Sequence, residues 1–389
     1  MTAIPKPCVP RYGEASLAEV VPSILDALGV SGFDNALGVE PLPGVCVLVV
    51  DGLGWELIEA HPNDAPFLAW AAETSGRAIT TVFPSTTSAS LASLGTGLAP
   101  GEHGLVGYTF AVPGHDRAMN SLLWQLYGIG PTVDLRGELI PEEFQPMPTV
   151  LERAAAAGFE VTLVGPAAHV DSGLTRAILR GARYVGADTL EELVEAVVAT
   201  LSREGRTSAY AYHPFLDTFG HMRGVSSDEW RGHLLSVDEA ARAIYERLPP
   251  GFALAVTADH GMVNLGPDER VDVADMPELM DGVRLLAGEA RARHVHAYAG
   301  AVDDVLSVWR EKLGDRMWVV PKEEAIASGW FGPAVSNWVL PRIGDVVAAA
   351  FASVGVFQRE VDPLQATLVG HHGSMTAVEQ RVPFILARR

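Results

Sequence analysis

The chain has 389 residues, of which 48% are hydrophobic and 20% charged, and its formal net charge is −20. This composition is typical of a folded protein and excludes an intrinsically disordered one. The strong negative charge, without any Lys- or Arg-rich run, argues against binding to a nucleic-acid polymer or to an anionic membrane surface.

Neither the cysteines nor the first thirty residues indicate an exported or membrane protein. Cys8 and Cys46 are too few for a disulfide framework or a cysteine-based zinc site. The N-terminal segment is rich in proline and has no apolar core of the kind a signal peptide needs, and no apolar stretch is long enough to span a membrane. We therefore expect a cytoplasmic protein, and the sequence gives no indication of its oligomeric state.

Short apolar runs alternate with longer amphipathic segments, a pattern that predicts an α/β fold with a mostly parallel central sheet flanked by helices. The predicted strands are Val45–Val50, Glu160–Gly165, Ser208–Tyr212, Phe252–Thr257, Ala366–Val369 and Val382–Leu386. The predicted helices are Val150–Ala157, Thr189–Ser202 and Ser226–Arg247, the last capped by Ser226 or Ser227.

Residues 282–338 show a different pattern, with two short alternating runs around the helical segment Val302–Leu313. The runs are His294–Ala299 and Met317–Val320, and the order strand, helix, strand predicts an inserted α+β cap. Residues 1–281 and 339–389 would then form the core.

Carboxylates and imidazoles follow four of the predicted strands. Asp51 ends the first strand, Asp217 and His221 follow the third, Asp259 and His260 follow the fourth, and His371 and His372 follow the fifth. In open α/β sheets, ligand sites lie beyond the carboxyl ends of the strands, so these side chains are expected to converge. Mixed Asp and His ligands suit zinc, and manganese and iron are also compatible.

A hydroxyl-rich segment, Val82–Ser90, leads into a short predicted helix. Its threonines and serines have a plain interpretation as N-caps. The alternative is functional, because a helix N-terminus attracts a phosphoryl group and a hydroxyl beside a bound cation becomes a nucleophile.

These motifs occur in the order of a known family. The motifs are Asp51-Gly52, Pro84-Ser85-Thr86-Thr87, Thr96-Gly97 through His103-Gly104, Asp217 through His221, Asp259 through Met262, and His372-Gly373. Together they resemble the alkaline phosphatase superfamily, most closely its nucleotide pyrophosphatase/phosphodiesterase branch.

The resemblance implies two divalent metal ions, and zinc is the expected element. Asp217, His221 and His372 would hold one ion; the other would be held by Asp51, Asp259 and His260, with Thr87 also coordinating. His372 is preferred to His371 because the family's ligand directly precedes a glycine, and His103 is not carried over as a ligand. The resemblance further implies that Thr87 is the catalytic nucleophile and forms a covalent phosphothreonine.

One position departs from the family pattern. Where the phosphodiesterase branch has an asparagine that binds a phosphoryl oxygen, this chain has Tyr108, and Asn120 is a possible substitute. A threonine nucleophile favours phosphodiesters, pyrophosphates or phosphonates over monoesters, with a small, nucleotide-like phosphorylated substrate expected. A phosphomonoesterase, a phosphonate hydrolase and an inactive binding protein on the same scaffold remain alternatives. The aromatic-bearing segment Phe110–Tyr127 is a candidate surface for the second substituent of a diester, and core packing is the alternative role for its aromatic side chains.

Overall fold

The computed structural model describes residues 4–203 and 207–389. Its strands, in chain order, are β1 Gly44–Val50, β2 Gly76–Thr80, β3 Thr109–Phe110, β4 Met119–Asn120, β5 Gln125–Leu126, β6 Val161–Gly165, β7 Arg183–Gly186, β8 Thr207–His213, β9 Ala253–Thr257, β10 Val263–Asn264, β11 Arg270–Asp272, β12 Val283–Glu289, β13 Ala292–Ala297, β14 Met317–Pro321, β15 Val346–Ala350, β16 Gly355–Phe357, β17 Gly370–His371 and β18 Arg381–Arg388.

The α-helices of the described residues, in chain order, are α1 Val20–Ala27, α2 Trp55–Ala60, α3 Pro66–Ser75, α4 Thr87–Thr96, α5 Pro100–His103, α6 Pro141–Phe144, α7 Val150–Ala156, α8 Gly173–Ile178, α9 Leu190–Leu201, α10 Phe215–Arg223, α11 Asp228–Arg247, α12 Val302–Leu313, α13 Lys322–Ala327 and α14 Ala377–Gln380. No helix in the described ranges is both long enough and apolar enough to cross a lipid bilayer.

The central sheet has the strand order β2-β18-β9-β1-β8-β6-β7. In this order, the five neighbouring strands β9, β1, β8, β6 and β7 run parallel to one another, whereas β18 is antiparallel to both of its neighbours. All seven residues of β1 are buried, which explains why this strand is an uninterrupted apolar run. Helices α9 and α11 pack against the sheet, so the predicted α/β fold with a mostly parallel central sheet is confirmed.

The three predicted helices begin within two residues of their predicted starts, because side chains cap their first turns. The hydroxyls of Thr149, Thr189 and Ser227 accept hydrogen bonds from backbone amides in the first turns of α7, α9 and α11. Each cap satisfies an amide that has no partner within its helix.

The predicted strand Ala366–Val369 is wrong. Gln365–Thr367 forms a 3₁₀ turn, and the nearest strand is the short β17, which pairs with β10. The guanidinium of Arg270 donates hydrogen bonds to the carbonyls of Ala366 and Leu368. Because a side chain satisfies these carbonyls, the segment needs no partner strand.

A second sheet, of order β12-β13-β15-β14, is antiparallel throughout. Together with α12 it encloses a hydrophobic cluster separate from the main core. The predicted helix Val302–Leu313 matches α12, and β13 and β14 correspond to the two predicted strands. The sheet also includes β15, which lies beyond residue 338, and the division into a core and a cap subdomain stays a prediction.

Candidate metal centre

Six side chains predicted as metal ligands come together beyond the ends of the central strands. Asp51 directly follows β1, and Asp259 and His260 follow β9. Asp217 and His221 lie one turn apart on α10, which begins shortly after β8, and His372 follows β17. Two groups of three have their ligand atoms within 4.8 Å of one another: Asp217, His221 and His372, and Asp51, Asp217 and His260.

The first group matches the ligand set expected for one ion. His221 Nε2 lies 3.3 Å from Asp217 Oδ2 and 3.3 Å from His372 Nε2. His372 Nε2 lies 3.9 Å from Asp217 Oδ1. Two imidazoles and a carboxylate thus point their ligand atoms at one small volume.

The second group surrounds His260. Its Nε2 lies 3.4 Å from Asp51 Oδ1 and 3.4 Å from Asp259 Oδ2. The rings of His260 and His372 are stacked with centroids 3.6 Å apart, so the two groups are adjacent. Asp217 belongs to the first expected set but also lies close to the second.

All three histidines are oriented by backbone carbonyls. Nδ1 lies 2.7 Å from Gly370 O in His221, 3.0 Å from Gly261 O in His260, and 2.9 Å from Ser85 O in His372. A carbonyl oxygen only accepts hydrogen bonds, so each Nδ1 carries the proton and each Nε2 keeps its lone pair. This is the arrangement that outer partners impose on metal-binding histidines.

The carboxylates are held by one oxygen and leave another free. Asp51 Oδ2 accepts a hydrogen bond from Tyr212 Oη at 2.5 Å, and Asp259 Oδ1 accepts from the amides of Gly52 and His260, each at 3.0 Å. Asp51 Oδ1, Asp259 Oδ2 and Asp217 Oδ1 are buried without a hydrogen-bond partner among the described residues. Buried oxygens of this kind are costly unless a cation compensates them, so the residues fit divalent metal ions.

The pKa shifts of the expected ligands also indicate a site for cations. Burial, with the charges of Asp259 and Asp217, raises the pKa of Asp51 well above its usual range. Burial raises the pKa of Asp217 as well, while burial and the rings of His260 and His221 hold the pKa of His372 well below its usual range. Divalent cations reverse these shifts for carboxylates because they favour the ionised form.

Thr87 is the hydroxyl directed at the centre. It is the first residue of α4, and its Oγ1 lies 3.3 Å from His260 Nε2. Thr86 occupies the N-cap position but makes no capping hydrogen bond. The hydroxyls of Ser85 and Ser88 donate to the carbonyls of Ser374 and Gly107. The N-cap interpretation therefore fails for Thr87, and the first turn of α4 has no side-chain cap.

The two predicted substrate-binding residues have different environments. Tyr108 lines a cavity together with Thr87, His221 and His372. Asn120 Oδ1 accepts hydrogen bonds from the amides of Leu122 and Leu123, as a turn residue does, and the Asn120 side chain is close enough to the Tyr108 phenol to lower its pKa against the effect of burial. Asn120 therefore contacts Tyr108, and the binding role of both residues stays a prediction.

His371 and His103 lie outside the two ligand groups. His371 Nε2 is 3.1 Å from the carbonyl of Leu368, and its ring is 6.3 Å from that of His221. His103 is fully buried against Ser93, with Nε2 3.0 Å from its hydroxyl.

Two cavities adjoin the centre. The larger, of about 680 Å³, reaches Thr87, Asp51 and Asp217 and is lined by apolar and aromatic side chains such as Leu91 and Tyr212 and by polar ones such as Asp171. The smaller, of about 240 Å³, shares Thr87 and Asp217 with it.

The expected aromatic wall of segment Phe110–Tyr127 is not part of the larger cavity. Phe110 and Trp124 are fully buried in the core, and it is Leu122, Leu123 and Gln125 of this segment that line the cavity. Trp124 packs against Phe144 and donates its indole N–H to the carbonyl of Leu139. Inside the fold, its apolar ring is therefore packed and its polar N–H is hydrogen-bonded.

Sequence reasoning did not identify Tyr212 and Glu289. Tyr212 lies within a predicted strand, where a buried aromatic is ordinary, and only the structure shows its hydroxyl on Asp51. Glu289 is the last residue of β12, is 5% exposed, and places Oε2 3.6 Å from His372 Nδ1. No local motif surrounds Glu289, so no sequence signal marks it.

Comparison with known proteins agrees with this geometry. The family model of type I phosphodiesterase / nucleotide pyrophosphatase matches residues 45–375. No protein with curated annotation matches the sequence significantly.

Solved structures share the fold at low sequence identity. Murine ectonucleotide pyrophosphatase/phosphodiesterase 5, in an inactive variant bound to AMP, has a TM-score of 0.65 and 18% identity, covering 88% of this chain and 87% of its own. The human protein of the same name has a TM-score of 0.65 and 17% identity, with 87% of each chain covered. Phosphonoacetate hydrolase from Sinorhizobium meliloti 1021, bound to phosphonoformate, has a TM-score of 0.66 and 18% identity, covering 90% of this chain and 91% of its own.

Proposed function

The chain belongs to the type I phosphodiesterase / nucleotide pyrophosphatase family, and we propose that it hydrolyses phosphodiester or pyrophosphate bonds in small phosphorylated substrates. The observation that carries this proposal is the position of Thr87. Its hydroxyl lies at the start of a helix, 3.3 Å from His260, beside three aspartates that each have a buried oxygen with no hydrogen-bond partner in the described part of the chain.

Two divalent metal ions would complete the centre. Asp217, His221 and His372 would hold one, and Asp51, Asp259 and His260 the other, with Thr87 also coordinating. Zinc suits this mixture of carboxylates and imidazoles, and manganese and iron are compatible. Bound cations would supply charge neutralisation at the phosphoryl group and a lower pKa for the Thr87 hydroxyl.

The chain's own residues account for the remaining steps. Thr87 Oγ1 releases its proton to solvent and attacks phosphorus, so that a new P–O bond forms as the bond to the leaving oxygen breaks. The departing alkoxide takes up a proton from solvent, whereas a pyrophosphate releases a phosphate group. The product of this step is a phosphothreonine, which water then hydrolyses to regenerate Thr87. The uncapped first turn of α4 presents backbone amides to the phosphoryl oxygens throughout.

Tyr108 would take the place of the family's asparagine. Burial raises the pKa of the Tyr108 phenol to about 12, so its O–H remains a donor at neutral pH. The phenol lines the cavity next to Thr87, where it would donate to a non-bridging phosphoryl oxygen, and Asn120 would fix its position.

Phosphonate hydrolysis is the second candidate, because a structure of similar fold is a phosphonoacetate hydrolase. A substrate carboxylate would need a free cationic side chain in its cavity. Arg136 lines the larger cavity, but its guanidinium is paired with Asp134 at 2.6 Å. Because Arg136 is already paired, it is not free to bind a substrate carboxylate, which favours a diester or pyrophosphate over a carboxylate-bearing phosphonate as the substrate. An inactive binding protein is disfavoured because every expected ligand position and the nucleophile carry competent side chains.

Metal content and turnover measured on the same preparation test the proposal. Purified protein is expected to contain two equivalents of a divalent transition metal and to hydrolyse bis(p-nitrophenyl) phosphate. Asp51→Asn should lower both metal content and rate, whereas Asp268→Asn, an exposed change away from the centre, should lower neither. Metal-free protein with full activity would contradict the proposal.

A further inference from the structure

The smaller cavity beside Thr87 carries a carboxyl group that is not among the expected metal ligands. It is lined by Tyr108, Asp362 and Glu289 in addition to residues of the metal centre. The larger cavity is lined by apolar side chains such as Leu91 and by polar ones such as Asp171. A phosphodiester at Thr87 has two ester substituents, and two cavities adjoin this residue.

Glu289 is held firmly at the wall of the smaller cavity. Gly373 lies so close that a Cβ there would be 2.7 Å from Glu289 Cδ, and Glu289 Oε2 lies 3.6 Å from His372 Nδ1. Gly373 also has φ +128°, a conformation that other residues rarely adopt. The hairpin carrying Glu289 is fixed by a buried ion pair of 2.7 Å between Arg291 and Glu379.

One oxygen of this fixed carboxyl group is unused. Glu289 is 5% exposed, and its Oε1 is buried with no hydrogen-bond partner among the described residues. The nearby carboxylate of Asp362, by contrast, accepts hydrogen bonds from Tyr127 Oη at 2.8 Å and from the Gln365 amide at 2.9 Å. An unsatisfied buried acceptor beside a reaction centre is the kind of group that a substrate donor satisfies.

The surroundings favour a hydrogen-bond donor over an anion. Among the described residues that line the smaller cavity there is no Lys or Arg. Arg293 lies nearby, but its guanidinium is buried and donates to the carbonyl of Val356. A carboxyl oxygen such as Glu289 Oε1 would accept a hydrogen bond from a hydroxyl or ammonium group.

Resting on the proposed phosphodiesterase function, we propose that the preferred substrates are phosphodiesters in which one substituent is a small alcohol bearing a hydroxyl or ammonium group, which occupies the smaller cavity and hydrogen-bonds Glu289. Glu289 is then a specificity-determining residue supplied by the second sheet.

Three p-nitrophenyl diesters test this directly: the ethyl, 2-hydroxyethyl and 2-aminoethyl esters. The wild-type kcat/KM for each donor-bearing ester should exceed that for the ethyl ester about tenfold, the size of effect expected when a buried acceptor is left unpaired. In Glu289→Met, which has no acceptor, both ratios should fall close to one. In the control Glu360→Gln, an exposed change on a neighbouring loop, the ratios should stay at wild-type values.

Two results would overturn the inference: a wild-type enzyme without preference, or a preference that survives in Glu289→Met with its metal content intact. If Glu289→Met does not fold, Glu289→Ala decides, because it also removes the acceptor and both ratios should fall close to one; unchanged ratios overturn the inference.

Binding separates this inference from the proposed function. Calorimetric titration of metal-loaded Thr87→Ala with 2-aminoethyl phosphate and with ethyl phosphate needs no turnover. Tighter binding of the amine supports the role of Glu289 even in the absence of hydrolysis, and equal Kd values contradict it. Failure of the metal-loaded wild type to hydrolyse all three diesters would contradict the phosphodiesterase function alone.

Discussion

Removal of the metal ions should destabilise this protein strongly, because its centre is built from buried acids that lack partners. Asp51 Oδ1, Asp217 Oδ1 and Asp259 Oδ2 have no hydrogen-bond partner among the described residues. A ligand present at about a thousand times its Kd stabilises the folded state by about 4 kcal/mol, so two such ions contribute about 8 kcal/mol.

This free energy converts into a measurable shift in melting temperature. A chain of 389 residues has an unfolding entropy of about 0.8 kcal/mol/K, so loss of both ions should lower Tm by about 10 °C. Differential scanning calorimetry before and after chelation measures the shift, and re-addition of zinc should reverse it. A chelated, demonstrably metal-free protein with an unchanged Tm would refute the reasoning.

The metal-free protein should also respond to pH in a defined direction. Because burial and neighbouring charge raise the pKa of Asp51 in the folded state, the folded protein keeps this proton after the unfolded chain has lost it. Stability therefore falls as pH rises from about 4 through the raised folded pKa. Metal-free Asp51→Asn lacks this penalty, so it should melt above metal-free wild type at pH 7.5, and this advantage should shrink towards pH 4. An advantage independent of pH would contradict the assignment.

Three further outcomes are expected. Thr87→Ala should lower kcat by a factor on the order of 10⁴ or more, with metal content retained on elemental analysis, because it removes the nucleophile and leaves the Asp and His ligands in place. Tyr212→Phe removes the hydrogen bond to Asp51 Oδ2 and should weaken zinc binding about 10- to 100-fold in competition with a chelating dye; unchanged affinity would mean that the phenol is only a packing residue. For matched substrates with the same leaving group, kcat/KM should be higher for the diester than for the monoester. The reason is that no free guanidinium adjoins Thr87 among the described cavity residues to neutralise the monoester's extra charge. The reverse ratio would show that the enzyme is a phosphatase.

The convergence of the acidic and histidine side chains was predictable from the sequence because it follows from backbone topology. Parallel strands end at the same edge of a sheet; Asp51 directly follows one such strand, and Asp259 lies two residues beyond the end of its neighbour. The spacing of Asp217 and His221 fixes them on one face of α10. Neither inference needs knowledge of tertiary packing.

The features that escaped prediction depend on contacts between segments distant in sequence. Glu289 reaches His372 from a different sheet, and Tyr212 reaches Asp51 from an adjacent strand. The predicted strand Ala366–Val369 fails for a related reason, because Arg270 satisfies its carbonyls from a distance of almost a hundred residues along the chain. The local sequence pattern does not indicate which distant residues a segment will contact.

For the aromatic side chains of segment Phe110–Tyr127, the sequence left two roles open, core packing and contact with substrate, and the structure shows core packing for two of them. Phe110 and Trp124 lie on a segment near the centre, but both are completely buried in the core. Large aromatic side chains gain more from burial than from lining a cavity, and the indole N–H of Trp124 finds a carbonyl inside the fold. Proximity in sequence to Tyr108 therefore did not predict contact with substrate.

The covalent role of Thr87 is the central claim, and trapping the intermediate tests it most directly. Metal-loaded enzyme would be mixed with bis(p-nitrophenyl) phosphate, quenched in acid within the first turnover, and digested for mass spectrometry. The account predicts a single p-nitrophenyl phosphate adduct on the peptide containing Thr87, absent from Thr87→Ala. Rapid turnover with no adduct on that peptide, together with near-native activity of Thr87→Ala, would contradict it and show that water attacks the substrate directly.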